Sequence, residues 1–197
     1  MGQETTFATL IGSRICHDLI SPIGAINNGI ELIEMGSTAS SPEMTLISES
    51  VANASARIRY FRIAFGAAGD QTVGRPEIVS ILDGIYTGTR LSVAWGPLDG
   101  QPRNLVRLAF LAVMCLETAM PYGGRIVVTR EDDRITVTGF ADKYKIDAAL
   151  WALLDTGTNG SGLSPAQVQF GLLPLIAGDE GRALEVDTTG TPVTLGF

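Results

Sequence analysis

Apolar residues recur at steps of three and four from about Thr5 to Met35: Ile11, Ile15, Leu19, Ile23, Ile26, Ile30 and Ile33. That spacing predicts one long helix with a single apolar stripe. β-Branched residues are weak helix formers, so packing must hold it. Gly36-Ser37-Thr38 suits a helix end, with Gly36 at the C-terminal cap. Ser41-Pro42-Glu43 suits a restart, as a cap residue followed by proline in the first turn. The next helix carries a heptad seam: Met44, Ile47, Val51, Ala54, Ile58, Phe61 and Phe65. A short connection makes the pair an antiparallel hairpin. Two helices alone cannot bury both stripes. Either two copies close into a four-helix bundle around a C2 axis, or the hairpin packs on the rest of its own chain.

After the Gly69–Gly74 linker the pattern becomes mixed. It predicts a helix from about Pro76 to Tyr86 and a strand Leu91–Trp95. A long helix follows, Gln101–Met120, with Leu105, Leu108, Ala112 and Leu116 on one side. Gly123-Gly124 leads into alternating strands Arg125–Arg130 and Arg134–Phe140, joined at Glu131-Asp132-Asp133. Helices near Ile146–Leu154 and Pro165–Ala177 come next, then strands Ala183–Asp187 and Pro192–Gly196. The predicted class is α+β: a helical hairpin over residues 1–69 and an α/β domain over 75–197.

Composition narrows the function. Of 197 residues, 45% are hydrophobic and 18% charged, a globular balance and not a disordered one. The mean hydropathy of +0.24 leaves an apolar surplus of the kind that covers subunit interfaces. No apolar run reaches the ~20 residues that span a bilayer. The start, Met1-Gly2-Gln3-Glu4, lacks the basic region and apolar core of a signal peptide, so a cytoplasmic protein is expected. The net charge of −7 argues against nucleic acid as a partner. Cys16 and Cys115 are too few for a disulfide framework and read as two buried thiols. With one histidine they also make a poor zinc set.

That one histidine is His17. At about 100° per residue it lies nearly opposite the centre of the Ile11–Ile33 stripe, with Ser13, Arg14, Ser21, Gly24 and Asn28 on or near its face. Lone histidines are commonly structural. This one looks outward among small and polar neighbours, and Pro22 follows within the helix. An interior proline costs about 3 kcal/mol and frees a carbonyl one turn back, near Asp18. Such a device beside an exposed imidazole points to a site. A plain helix break at Ser21-Pro22 is the other reading.

The stretch His17-Asp18-Leu19-Ile20-Ser21-Pro22-Ile23 resembles the H-box of histidine kinases, His-(Glu/Asp)-x-x-(Thr/Asn)-Pro. Extended from Cys16 to Gly29, and with Arg62-Ile63-Ala64-Phe65-Gly66-Ala67, it is similar to the ChpT-type histidine phosphotransferases of alphaproteobacteria. The order of elements after residue 75 resembles the kinase ATP-binding domain, the Bergerat fold. Its nucleotide chemistry is missing here. The Mg2+-holding asparagine of the kinases falls at or near Cys115, a poor ligand for a hard cation. Thr138-Gly139-Phe140-Ala141-Asp142 stands where an Asp-x-Gly-x-Gly box is expected. Gly157-Thr158-Asn159-Gly160-Ser161-Gly162 lacks the ending of a phosphate loop and reads as a shortened lid remnant or a plain flexible loop.

The resemblance implies a homodimeric relay protein that shuttles a phosphoryl group between receiver-domain aspartates through His17. It binds no cofactor of its own, and Mg2+ arrives with the receiver. Asp18 would orient His17, and Ser21 matches the position that orients a hydrolytic water in kinases, although serine departs from Thr or Asn. Arg14 would neutralise phosphate charge. Arg57, Arg59 and Arg62 lie on the second helix, where any of them could be an ordinary surface residue. Ser13, Ile20, Gly24 and Asn28 would meet the receiver. Two other classes remain open: an ATP-dependent histidine kinase with a divergent nucleotide site, and a non-catalytic dimeric scaffold.

Overall fold

The computed structural model describes residues 2–34, 42–67, 69 and 71–197. The predicted caps at Gly36 and Ser41 lie outside the described residues. Helix α1 (Gly2–Glu34) runs unbroken across Pro22, which removes the helix-break reading. Helix α2 (Pro42–Ala64) returns against it as the antiparallel arm of the hairpin.

Part of the hairpin packs on the rest of its own chain, and part of its apolar surface stays exposed. The heptad seam of α2 divides: Phe61 is buried, while Met44, Val51 and Ile58 stay exposed. On α1, Ile23 and Ile30 are exposed as well. Within each helix these exposed side chains recur at the heptad interval. The second half of α2 carries another apolar face, Ala56, Tyr60, Ile63 and Ala64, and this one is buried against the rest of the chain.

Beyond residue 71 a two-residue strand β1 (Thr72–Val73) leads into α3 (Arg75–Tyr86), β2 (Leu91–Trp95) and β3 (Gln101–Pro102). The expected helix from Gln101 begins only at Arg103, as α4 (Arg103–Ala119). Gln101 and Pro102 instead pair antiparallel with β1. Pro102 has extended backbone, which suits it to close a strand and open a helix. A β-hairpin follows, β4 (Gly124–Glu131) and β5 (Arg134–Phe140), turning where Asp132 takes a positive φ. Two single-turn helices, α5 (Ala148–Trp151) and α6 (Leu153–Thr156), precede a 3-10 turn at 165–167 and α7 (Val168–Asp179). Strands β6 (Glu185–Asp187) and β7 (Val193–Gly196) complete the chain.

The main sheet has the order β2-β4-β5-β7-β6, with β2 and β4 parallel and the other pairs antiparallel. Period-two alternation turns Ile126, Val128, Ile135, Val137, Val193 and Leu195 into the core and leaves the opposite face open. The fold is α+β, a helical hairpin on a two-layer α/β unit.

A continuous core crosses from the hairpin into that unit. Tyr60 of α2 stacks on Phe110 of α4 with ring centroids 4.3 Å apart. Its hydroxyl donates to the Phe110 carbonyl at 2.8 Å. Gly84 of α3 lets α2 approach closely, since a Cβ there would sit 2.7 Å from the Ala56 methyl. On the far side of α4, Gln169 donates to the Thr118 hydroxyl at 3.0 Å, and Trp151 meets Phe170 edge-on at 5.6 Å. Side chains thus fill the layer between α4 and α7. Cys115 is fully buried there, and burial pushes its thiol well above the usual range. Cys16 departs from expectation: it is exposed, because it sits on the outer side of α1 next to His17.

The glycine-rich segment also has a structural use. Phe7, on the first turns of α1, is buried against it. A Cβ at Gly160 would lie 3.1 Å from the Phe7 ring, and one at Gly171 would lie 2.7 Å from it. Gly160 and Gly171 therefore make a slot for an aromatic ring. Among the described residues, no helix is long and apolar enough to cross a membrane.

Candidate functional site

His17 is 80% exposed at the edge of a cleft of about 700 Å3. One wall is α1, with Asp18, Ser21, Pro22 and Ala25. The second is α2, with Ser50, Asn53 and Arg57, and the third is the end of α3 and its turn, with Asp83, Gly84, Thr87 and Gly88. Because α1 continues through Pro22, His17 and Ser21 stay one turn apart on the same face.

Asp18 is the pivot. Its Oδ1 lies 2.9 Å from His17 Nδ1. Neighbouring residues on a helix diverge by about 100°, so this contact needs a held rotamer. The holding groups are visible. Arg14 Nε donates to Asp18 Oδ2 at 2.8 Å, and Arg57 Nη1 stands 3.7 Å from the same oxygen. The Asp18 side chain is only 9% exposed. A carboxylate only accepts, so the Asp18 bond requires the proton on Nδ1. His17 Nε2 then carries the lone pair, with no protein partner among the described residues.

The other expected contacts sort themselves by geometry. Ser21 lines the cleft and is exposed. Ser13, Ile20 and Asn28 are exposed on the same side of α1, and Gly24 opens onto empty space. Arg14 is 16% exposed and spans Asp18 and the Ala166 carbonyl, to which Nη1 donates at 3.0 Å. Of the three arginines on α2, Arg57 comes to the site. Arg62 turns to Glu77 at 3.9 Å, and Arg59 does not line the cleft.

Sequence reasoning missed Asn53, the α3 turn and Glu117. Asn53 donates to the Gly84 carbonyl at 3.0 Å and accepts from Arg57 Nε at 3.0 Å. Glu117, near the end of α4, lies in an adjoining cleft of about 310 Å3 shared with Arg57, Tyr86 and Arg90. Protein crowds its carboxyl and raises its pKa, although part of the side chain still reaches solvent. Arg14 and Arg57 pull the other way, Asp18 adds to the rise, and the Tyr86 hydroxyl at 3.4 Å opposes it.

A raised carboxyl binds its proton more tightly folded than unfolded. Its stabilising share is present below the ordinary value of 4.5 and is lost as pH rises through the folded value. Glu117→Gln should therefore remove part of the fall in melting temperature above that pH. Thermal unfolding of both proteins across pH 4 to 8 (about that range) measures it. Parallel curves would show that Glu117 carries no such load.

Among the described residues, no group of three or more His, Cys, Asp or Glu side chains gathers to hold a metal. The site is a solvent-facing imidazole whose Nδ1 faces the Asp18 carboxylate, on a hairpin anchored to an α/β unit. Residues 75–192 match the family model for the histidine phosphotransferase C-terminal domain, and the chain belongs to that family. It is 32% identical over 191 residues to protein phosphotransferase ChpT of Brucella abortus (strain 2308), covering 93% of this chain and 91% of that one. A solved bacterial phosphotransferase superposes with a TM-score of 0.76 at 30% identity, over 96% of this chain and 94% of that one.

Proposed function

We propose that this chain carries a phosphoryl group between the aspartates of two receiver domains, with His17 as the covalent carrier. The observation that carries the reading is the bare, exposed Nε2 of the sole histidine beside an Asp18-bound Nδ1. Phosphoryl transfer asks mainly for alignment and charge neutralisation. A docked receiver presents its aspartyl phosphate in line with Nε2. The lone pair forms the N–P bond as the aspartyl O–P bond breaks, and the electron pair leaves on the receiver's carboxylate. The positive charge that grows on the ring stays next to Asp18. A second receiver reverses the step with its own carboxylate as nucleophile.

Mg2+ belongs to the receiver's acidic pocket in this reading, and the chain supplies no ATP chemistry. Ser13, Ile20, Gly24 and Asn28 form the docking face around His17, where Ile20 is 69% exposed. Ser21 faces the cleft from the position that would hold a hydrolytic water. The protein works in the cytoplasm, where receiver domains are found. The test is transfer of label to the whole chain from a phosphorylated receiver without ATP.

The same reading includes a homodimer. The exposed Ile23 and Ile30 of α1, and Met44, Val51 and Ile58 of α2, have heptad spacing within each helix, and a second copy of the hairpin covers them across a twofold axis. Each such side chain contributes about 1.5–3 kcal/mol when fully buried. The double substitution Val51→Glu and Ile58→Glu should convert dimer to monomer in light scattering while circular dichroism stays unchanged. A double variant that remains dimeric contradicts this interface.

A further inference from the structure

Asp18 is held from both sides by groups that reach back to the α/β unit. On one side Arg14 gives Nε to Asp18 at 2.8 Å and Nη1 to the Ala166 carbonyl at 3.0 Å. On the other, Arg57 stands 3.7 Å from Asp18 and donates to Asn53, which donates to the Gly84 carbonyl at 3.0 Å. Ala166 precedes α7 and Gly84 lies in α3, so both anchors are backbone groups outside the hairpin. Phe7, two turns before Arg14 on α1, packs into the slot formed by Gly160 and Gly171, which flank Ala166 in the chain.

We propose that the α/β unit serves as a positioning clamp for the phosphoacceptor: through Arg14 and Arg57 it fixes Asp18, and through Asp18 it fixes the Nδ1–H tautomer of His17. This rests on the reading of His17 as carrier and assigns the second half of the chain a part in it. Arg14 and Arg57 are positioning residues. The bridging needs a planar fork with separate nitrogens for separate acceptors, which arginine has and lysine lacks. The neutral side chain of a free histidine in water favours the Nε2–H form, which has no lone pair on that nitrogen. The clamp keeps the attacking nitrogen bare, an alignment term paid before the receiver arrives.

The single histidine makes the test direct, because histidine labelled with 15N gives one imidazole spectrum. In the whole wild-type chain, with the ring neutral, the two nitrogen shifts should report Nδ1–H with a bare Nε2. Arg14→Gln and Arg14→Lys should both move the ring toward the Nε2–H form. Phe7→Ala, which touches neither His17 nor Asp18, should shift it in the same direction. Arg62→Gln, whose side chain pairs with Glu77, should leave it unchanged. Transfer from a phosphorylated receiver should slow about tenfold or more in Arg14→Gln, in kcat more than in KM. Wild-type tautomer in all three Arg14 and Phe7 variants would overturn the clamp. Arg14→Lys keeps the charge and the helix, so it still decides the matter if Arg14→Gln does not fold. The tautomer is read without any receiver. Failure of transfer in the wild type would therefore strike the carrier role alone, and an unmoved tautomer would strike the clamp alone.

Discussion

Replacing His17 with glutamine is expected to reduce phosphoryl uptake from a phosphorylated receiver to background and to leave the fold intact. The chain has no other histidine to take over. A glutamine amide keeps a polar side chain of similar reach, but its nitrogen has no lone pair available for attack on phosphorus. The side chain is 80% exposed, so its removal opens no cavity. Surface changes of this kind usually alter stability by no more than about 0.5 kcal/mol. Phosphoprotein gels with matched thermal melts check both halves of the prediction. Label on the variant equal to wild type would show that another residue accepts the group.

The largest structural effect is expected from Phe110→Ala. Phe110 is fully buried, stacks on Tyr60 of the hairpin and meets Trp95 edge-on at 6.5 Å. Truncating such a ring loses its burial and leaves a cavity, together about 3–5 kcal/mol. This ring sits where the hairpin joins the α/β unit. Its loss should therefore weaken both parts in one transition and shift the urea midpoint without splitting it. Separate transitions for hairpin and α/β unit in the variant, with the first half of the change missing from the second, would contradict a shared core.

Much of this was legible in the residue pattern. Strand Leu91–Trp95 and the β-hairpin from Arg125 to Phe140 announce themselves by period-two alternation and turn residues. The long helix through Pro22 follows from its stripe. The second face of α2 was not legible. Ala56, Tyr60, Ile63 and Ala64 lie beside the heptad seam, and a helix that is apolar on two sides gives weak contrast. The pairing of Gln101 and Pro102 with β1 is two residues long, too short for any periodicity.

The site divides in the same way. His17, Asp18 and Ser21 stand out because residue type and helical spacing carry the signal. The anchors of the clamp do not, because Ala166 and Gly84 contribute backbone carbonyls, and any residue has one. Arg14 was visible as a cation one turn from His17, but its partner beyond Asp18 is 152 positions away in the chain. Its place one turn from His17 is written in the helical spacing, while its reach to Ala166 is made by tertiary packing. The glycine-rich segment is a parallel case. Its composition reads as a shortened lid remnant or a plain loop, and Gly160 within it forms one side of a slot for Phe7.

The central claim is that His17 draws its phosphoryl group from another protein's aspartate. The most direct measurement offers the whole chain two labelled donors in parallel, a receiver domain phosphorylated on its aspartate with Mg2+, and Mg-ATP alone. The account predicts acid-labile label on the wild type from the receiver, none from ATP, and none on His17→Gln from either. Label taken from ATP without a receiver, or label from the receiver that survives His17→Gln, would contradict it.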